Sequence, residues 1–191
     1  MPERELPRFL ELVGPELVVR RRAIPHMEMG GSIYFVTYHL RDEKFGHGPT
    51  DPRLLSASER QLAKQWLLEH HDRYWHHLLL TVMPNHVHLL TFPLPAEEGE
   101  RWYSLFPLLG WAKGRSSREI NLQRRERGSI WLSDNHDRIV RDDEELQDRG
   151  SYILNNAVEA GLVKDPWKWD GLWWEGDGRE GWQHLGRRPA S

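Results

Sequence analysis

Two histidines separated by one apolar residue, His86-Val87-His88, are the residues of this chain best spaced for chemistry. They sit in Met83-Pro84-Asn85-His86-Val87-His88-Leu89-Leu90, between the β-prone runs 78–82 and 89–92. On a strand, residues i and i+2 leave the same face, so the two imidazoles project in parallel from Cα atoms about 7 Å apart. Neutral imidazoles held this way can ligate one divalent metal. Val87 then points to the opposite face. Pro84 removes a ladder donor and interrupts the apolar run just ahead of the pair.

A metal that works as a Lewis acid needs at least one more protein ligand and an open position. The residues leave several choices. Tyr152 and Asn156 lie four apart in a helical pattern, so both face the same way. His136 and Asp137 lie on what reads as the preceding loop.

The elements that must position these groups can be read in outline. Residues 1–29 read as an irregular basic arm, with a short helical turn near Leu10–Val13. Ile33–Leu40 reads as a strand. Ser56 or Ser58 can cap a helix that carries Leu62, Trp66 and Leu67 at helical spacing and runs to about His71. Two strands follow, roughly His77–Val82 and Val87–Phe92. A second helix is expected over about Trp102–Gln123, its start weakened by Pro107 and Gly110. Ile130–Leu132 reads as extended. A third helix opens on the acids 142–145, which suit its positive end, and runs to about Ala160. Gly161 stops it as a left-handed cap. Val163–Trp169 suggests a last extended piece. The stretch 171–191 reads as a tail rich in Gly, Trp and Arg, and five of the ten tryptophans fall between Trp167 and Trp182. The order β-α-β-β-α-(β)-α implies an α+β fold, an antiparallel sheet with helices mainly on one face.

Composition narrows the classes. The chain has 191 residues, enough for one domain with a true core, here expected over 30–170. There are no cysteines, so disulfides and thiolate ligands are excluded. No apolar run approaches a membrane span, and the first residues show no apolar signal region, so a cytoplasmic location is the expectation. Net charge is −3, but the charge is segregated. Arg20-Arg21-Arg22 form one basic cluster. Six basic residues lie between Lys113 and Arg127, and seven acids between Asp134 and Asp148. Such segregation suits one surface for phosphates and another that repels them.

Four blocks in order resemble the REP-associated tyrosine transposases, within the His-hydrophobic-His superfamily of single-strand DNA transposases and nucleases. They are the first strand 30–37, the block MPNHVHLL at 83–90, the stretch from Trp131 to Ile139-Val140-Arg141-Asp142, and Tyr152-Ile153-x-x-Asn156 followed by Ala160-Gly161-Leu162-Val163. The resemblance covers about residues 30–170. It implies a ferredoxin-like fold with His86 and His88 on a central strand. It implies Mg²⁺ or Mn²⁺ held by His86, His88 and Asn156, with Tyr152 as nucleophile, and single-stranded or hairpin DNA as substrate. A tyrosine hydroxyl has an ordinary pKa near 10, so it must be activated. Ala157 stands where the family usually has proline, and Asn135-His136-Asp137-Arg138 replaces an aromatic-rich segment, which points to an altered DNA preference.

For DNA contacts the expected phosphate ligands are Arg20, Arg21, Arg22, Lys113, Arg115 and Arg118, with Tyr34, Tyr38 and the late tryptophans available to stack on bases. A monomer or a homodimer with exchanged helices would both serve. Two other functions fit the residues. One is a DNA-binding relative without catalysis. The other is a zinc hydrolase using His86, His88 and His136 or Asp137.

Overall fold

The structure is a computed structural model and describes residues 10–20, 26–41, 54–96 and 99–176. Its centre is a five-stranded antiparallel sheet. The strands are β4 (Tyr34–His39), β5 (Trp75–Val82), β6 (His86–Pro93), β8 (His136–Ile139) and β9 (Leu172–Trp174), in the order β8-β4-β6-β5-β9. Short strands β1 (Leu12–Val13) and β7 (Trp102–Tyr103) pair with each other, and β2 (Val18–Arg20) forms a hairpin with β3 (His26–Glu28). Helices α1 (Ala57–Leu68) and α2 (Leu105–Arg124) follow β4 and β6, and α3 (Asp143–Glu159) follows β8. Without β9, the sheet order and the two crossover helices are those of a ferredoxin-like βαββαβ unit.

Alternation along the strands divides the core. Tyr34, Val36 and Tyr38 of β4, Leu80 and Val82 of β5, and Val87 and Leu89 of β6 pack with Ala63 and Leu67 of α1 and with Leu105, Leu108, Leu109 and Ala112 of α2. Leu79 and Leu90 on the other face pack with Ile153 and Leu154 of α3 and with Leu172. Two helices therefore cover one face, as expected, and the third covers the face from which His86 and His88 project.

Local chemistry explains the boundaries. Ser56, not Ser58, caps α1: its hydroxyl accepts from Glu59 N–H, and the Glu59 carboxylate accepts from Ser56 N–H. Helix α2 begins only after Ser104, because Trp102–Tyr103 pair with β1 instead of extending the helix. Pro107 falls in the first turn, where no intrahelical N–H is needed. Gly161 takes φ +70, as a left-handed cap requires.

Several expectations are corrected. Leu10–Val13 is not helical, and Leu12–Val13 is a strand. The arm is not wholly irregular, since β2 and β3 lie in it and the buried Glu28 accepts from Ser104 Oγ and Leu105 N–H. His136 and Asp137 are on strand β8, not in a loop. Pro166–Lys168 form a 3₁₀ turn, and the last strand lies beyond it at Leu172–Trp174, inside the segment read as tail. Gly171 permits that return: a Cβ there would stand 2.1 Å from the Val82 carbonyl oxygen and 2.5 Å from Trp169 Nε1.

Candidate metal and nucleophile site

Strand β6 is the innermost strand, hydrogen-bonded on both sides, which fixes the backbone under the two histidines. The hairpin joining it to β5 turns through Pro84-Asn85, with Met83 N–H donating to the His86 carbonyl at 2.8 Å. In register, His86 sits opposite His39, and His88 lies between Thr37 and Thr81.

Each imidazole is steered through Nδ1. His86 Nδ1 lies 2.7 Å from Asn85 Oδ1, and His88 Nδ1 lies 2.7 Å from Thr37 Oγ1. A ring nitrogen held to an oxygen on one side sets the tautomer and frees the other nitrogen for a ligand. His86 Nε2 faces Asn156 Oδ1 at 3.2 Å. With Nδ1–H donated to Asn85, that contact sets two acceptors against each other, a strain that rotation of the Asn156 amide or a cation between them relieves. His88 Nε2 is buried and has no hydrogen-bond partner among the described residues. An orphaned buried ring nitrogen is costly unless something binds it.

Burial keeps both rings neutral. It pushes His86 down to about 4, helped by His39 and opposed by the Asn156 bond. Burial, with His86 and His39 adding to it, pushes His88 down to about 2. Neutral rings carry the lone pairs a metal needs.

Helix α3 brings the rest. Its buried face carries Ile153, Leu154, Asn156 and Ala157, while Tyr152 at the margin is 38% exposed. The Tyr152 ring meets the His88 ring edge-on at 4.9 Å and Phe35 at 6.1 Å. Phe35 in turn stacks on His88 at 5.7 Å and lies under the Arg149 guanidinium at 5.0 Å. His86, His88, Asn156 and Tyr152 thus meet at one place, although 64 residues or more of sequence separate the pair from Tyr152 and Asn156. The donor set, two imidazole nitrogens and an amide oxygen, suits a divalent metal ion with open positions left for water or substrate.

Other expected residues lie elsewhere. Asp137 is turned inward and paired with the buried His26, with Asn135 Nδ2 also donating to it. That contact removes it from the histidine pair. His136 pairs across from Thr37 on the histidine face and is exposed. Arg20 is held by Glu11 and Glu28. Arg21 and Arg22 lie outside the described residues. Lys113 is buried, its ammonium donating to the Ser133 carbonyl at 3.0 Å. Arg115 lies over the Trp66 ring, and Arg118 is exposed on α2. Tyr34 and Tyr38 are core residues, 0% and 1% exposed, and cannot stack on a base. The orienting roles of Thr37 and Asn85 escaped sequence reading, although Asn85 directly precedes the pair.

A second group of ligand types, His71, Asp72 and His76, gathers where α1 turns into β5, at the end of that strand far from Val82. Its hydrogen bonds argue for a charge clip instead of a metal site. His71 Nδ1 accepts from His77 N–H at 3.1 Å, so the proton of the neutral ring sits on Nε2, facing Asp72 at 3.4 Å. His76 places Nδ1 against Asp72 at 2.5 Å and Nε2 against Glu175 at 2.8 Å. A ring with a carboxylate at each nitrogen is best satisfied as imidazolium.

No protein-family model matches the sequence, and no curated protein matches it. Among solved structures, the chain is similar to a REP-associated tyrosine transposase bound to a REP hairpin, with a TM-score of 0.63 and 18% identity over 85% of this chain and 88% of that one. At that identity the likeness establishes the fold: this chain has the α+β architecture of that transposase.

Proposed function

We propose that the protein is a metal-dependent transposase or nicking nuclease of single-stranded DNA, which cleaves and rejoins strands at palindromic hairpins. One observation carries the reading: Tyr152 and Asn156, one helical turn apart on α3, lie against His88 and His86 of β6. The likeness to a hairpin-bound transposase supports the same choice of partner.

His86, His88 and Asn156 would hold Mg²⁺ or Mn²⁺, which supplies polarisation of a phosphate oxygen and charge neutralisation. Thr37 and Asn85 keep both rings oriented. Tyr152 supplies the nucleophile. Its oxygen forms a bond to phosphorus as the bond from phosphorus to the 3′-oxygen breaks. The phenolic proton is lost to solvent, and the leaving 3′-oxygen is protonated to a free hydroxyl. The DNA remains as a 5′-phosphotyrosine, so the phosphodiester energy is kept for rejoining. Phe35 and His88 hold the ring by its edge and leave one side of it in solvent, where a strand can reach it.

The test is a covalent-adduct assay. Protein is mixed with labelled single-stranded hairpins from palindromes near its gene, with Mn²⁺, and run on a denaturing gel. Wild type gives a shifted band, and Tyr152→Phe gives none while keeping its circular dichroism spectrum. Hairpin binding with no adduct under Mg²⁺ or Mn²⁺ would make the protein a binder without catalysis. Activity that survives Tyr152→Phe and requires zinc would make it a hydrolase.

A further inference from the structure

Helix α2 carries two exposed glycines one turn apart, Gly110 and Gly114. Glycine is unfavourable inside a helix, and a Cβ at either position would meet nothing within 4 Å. The space above them is a groove of about 450 Å³ between α2 and the segment 128–135. That volume lies in the range of small-molecule sites, roughly 300–1,000 Å³. We infer that this groove holds one unpaired deoxynucleotide of the DNA strand, an inference that rests on the DNA-processing function proposed above.

The lining matches the parts of a nucleotide. Lys113 and Arg118 line it, and no carboxylate does. Arg118 is exposed and suits a phosphate. Lys113 ties the groove wall to the helix through the carbonyls of Ser133 and Asp134, at 3.0 and 3.5 Å, and adds positive charge. The exposed Leu132 offers an apolar face for a base ring. Two hydroxyls present opposite capacities. Ser117 Oγ accepts from Ile130 N–H at 3.3 Å and keeps its own proton to donate, while Ser129 Oγ donates to the Trp131 carbonyl at 2.6 Å and keeps lone pairs to accept. Paired donor and acceptor sites are what a base edge requires. Glycine at 110 and 114 lets the planar base lie close to the helix backbone.

Position supports the same occupant. Asn135 lines the groove, and the next residue, His136, pairs across from Thr37, whose hydroxyl contacts His88. His136 and His88 are thus two strand spacings apart, about 10 Å at Cα. The groove lies on the α2 face of the sheet and Tyr152 on the α3 face, so a strand that reaches both passes around the β8 edge beside His136.

The test is an NMR titration of the full chain with each of the four deoxynucleoside monophosphates, and separately with inorganic phosphate. The expected result is perturbation of the Gly110, Gly114, Gly128 and Ser129 amides by at least one nucleotide. Gly114→Leu fills the groove and should weaken that binding by about tenfold or more. Because leucine is a better helix former than glycine at an exposed site, its melting temperature should hold or rise. Gly114→Ala, which adds one methyl, should weaken binding less than Gly114→Leu does, and this grading with side-chain size separates filling from a change of backbone. Unchanged binding in Gly114→Leu, no perturbation by any nucleotide at millimolar concentration, or the full pattern from inorganic phosphate alone would each overturn the inference. The readout needs neither a hairpin nor strand cleavage, and Tyr152→Phe leaves it intact. A failed adduct assay and a failed titration are therefore separate results.

Discussion

At the scale of single residues, the site depends on groups that orient its histidines from behind. Thr37 holds His88 through Nδ1 and leaves Nε2 for a ligand. Removing such an orienting partner costs about 10–100-fold in metal affinity in comparable sites. Thr37→Val, which keeps the shape and loses the hydroxyl, should weaken Mn²⁺ binding by that factor in calorimetry, and Thr37→Ser should restore it. Equal affinity in Thr37→Val and wild type would mean that β6 alone positions the ring. The histidine pair itself was legible because a strand repeats every two residues and the flanks are apolar. Asn156 and Tyr152 were legible as a helical i, i+4 pair. What spacing could not reveal was the face: Asp137 is adjacent to His136, yet alternation turns it to His26 on the other side.

At the scale of elements, the strands missed in the sequence are short or polar edge strands. His136–Ile139 reads His-Asp-Arg-Ile and has little apolar content, yet it pairs with β4 over four residues. Strand β9 is three residues long and sits in a Gly- and Trp-rich setting. Tertiary pairing, not local propensity, makes both. The clip at His76 gives β9 a measurable dependence on pH. Burial opposes the charge on His76, but the bonds to Glu175 and Asp72 outweigh it and raise its pKa above the ordinary 6.5. The stabilisation is therefore complete below the ordinary value and is lost as pH rises through the raised one. After correction for intrinsic exchange, amide protection over Leu172–Glu175 should fall as pH rises above the ordinary histidine value and through the raised one. His76→Gln should make it flat. A pH dependence that survives in His76→Gln would assign the effect to another group.

At the scale of the molecule, all four site residues belong to one chain and meet within it. On the function proposed above, one chain would carry every group that strand cleavage uses. Mixing a Tyr152→Phe protein with a His86→Ala protein should give no adduct, since each chain lacks one half of its own site. Recovered adduct would require exchange of α3 between two copies. Net charge is −3, so the DNA binding proposed above would rest on local basic surface and not on the whole molecule. Several of the cations expected to provide it are spent inside the protein, Arg20 on Glu11 and Glu28 and Lys113 on backbone carbonyls. Among the described residues, no helix is long and apolar enough to cross a membrane.

The sheet order also sets a schedule for biosynthesis. By residue 93 the ribosome has delivered β4, β5 and β6, and with them both histidines and Thr37. The helix bearing Tyr152 comes some fifty residues later, and β9, which closes the free edge of β5, is the last strand among the described residues. A nascent chain can therefore pair the strands that carry both imidazoles while it still lacks the helix that carries Tyr152 and Asn156. Until β9 is made, the edge of β5 stands open to wrong partners.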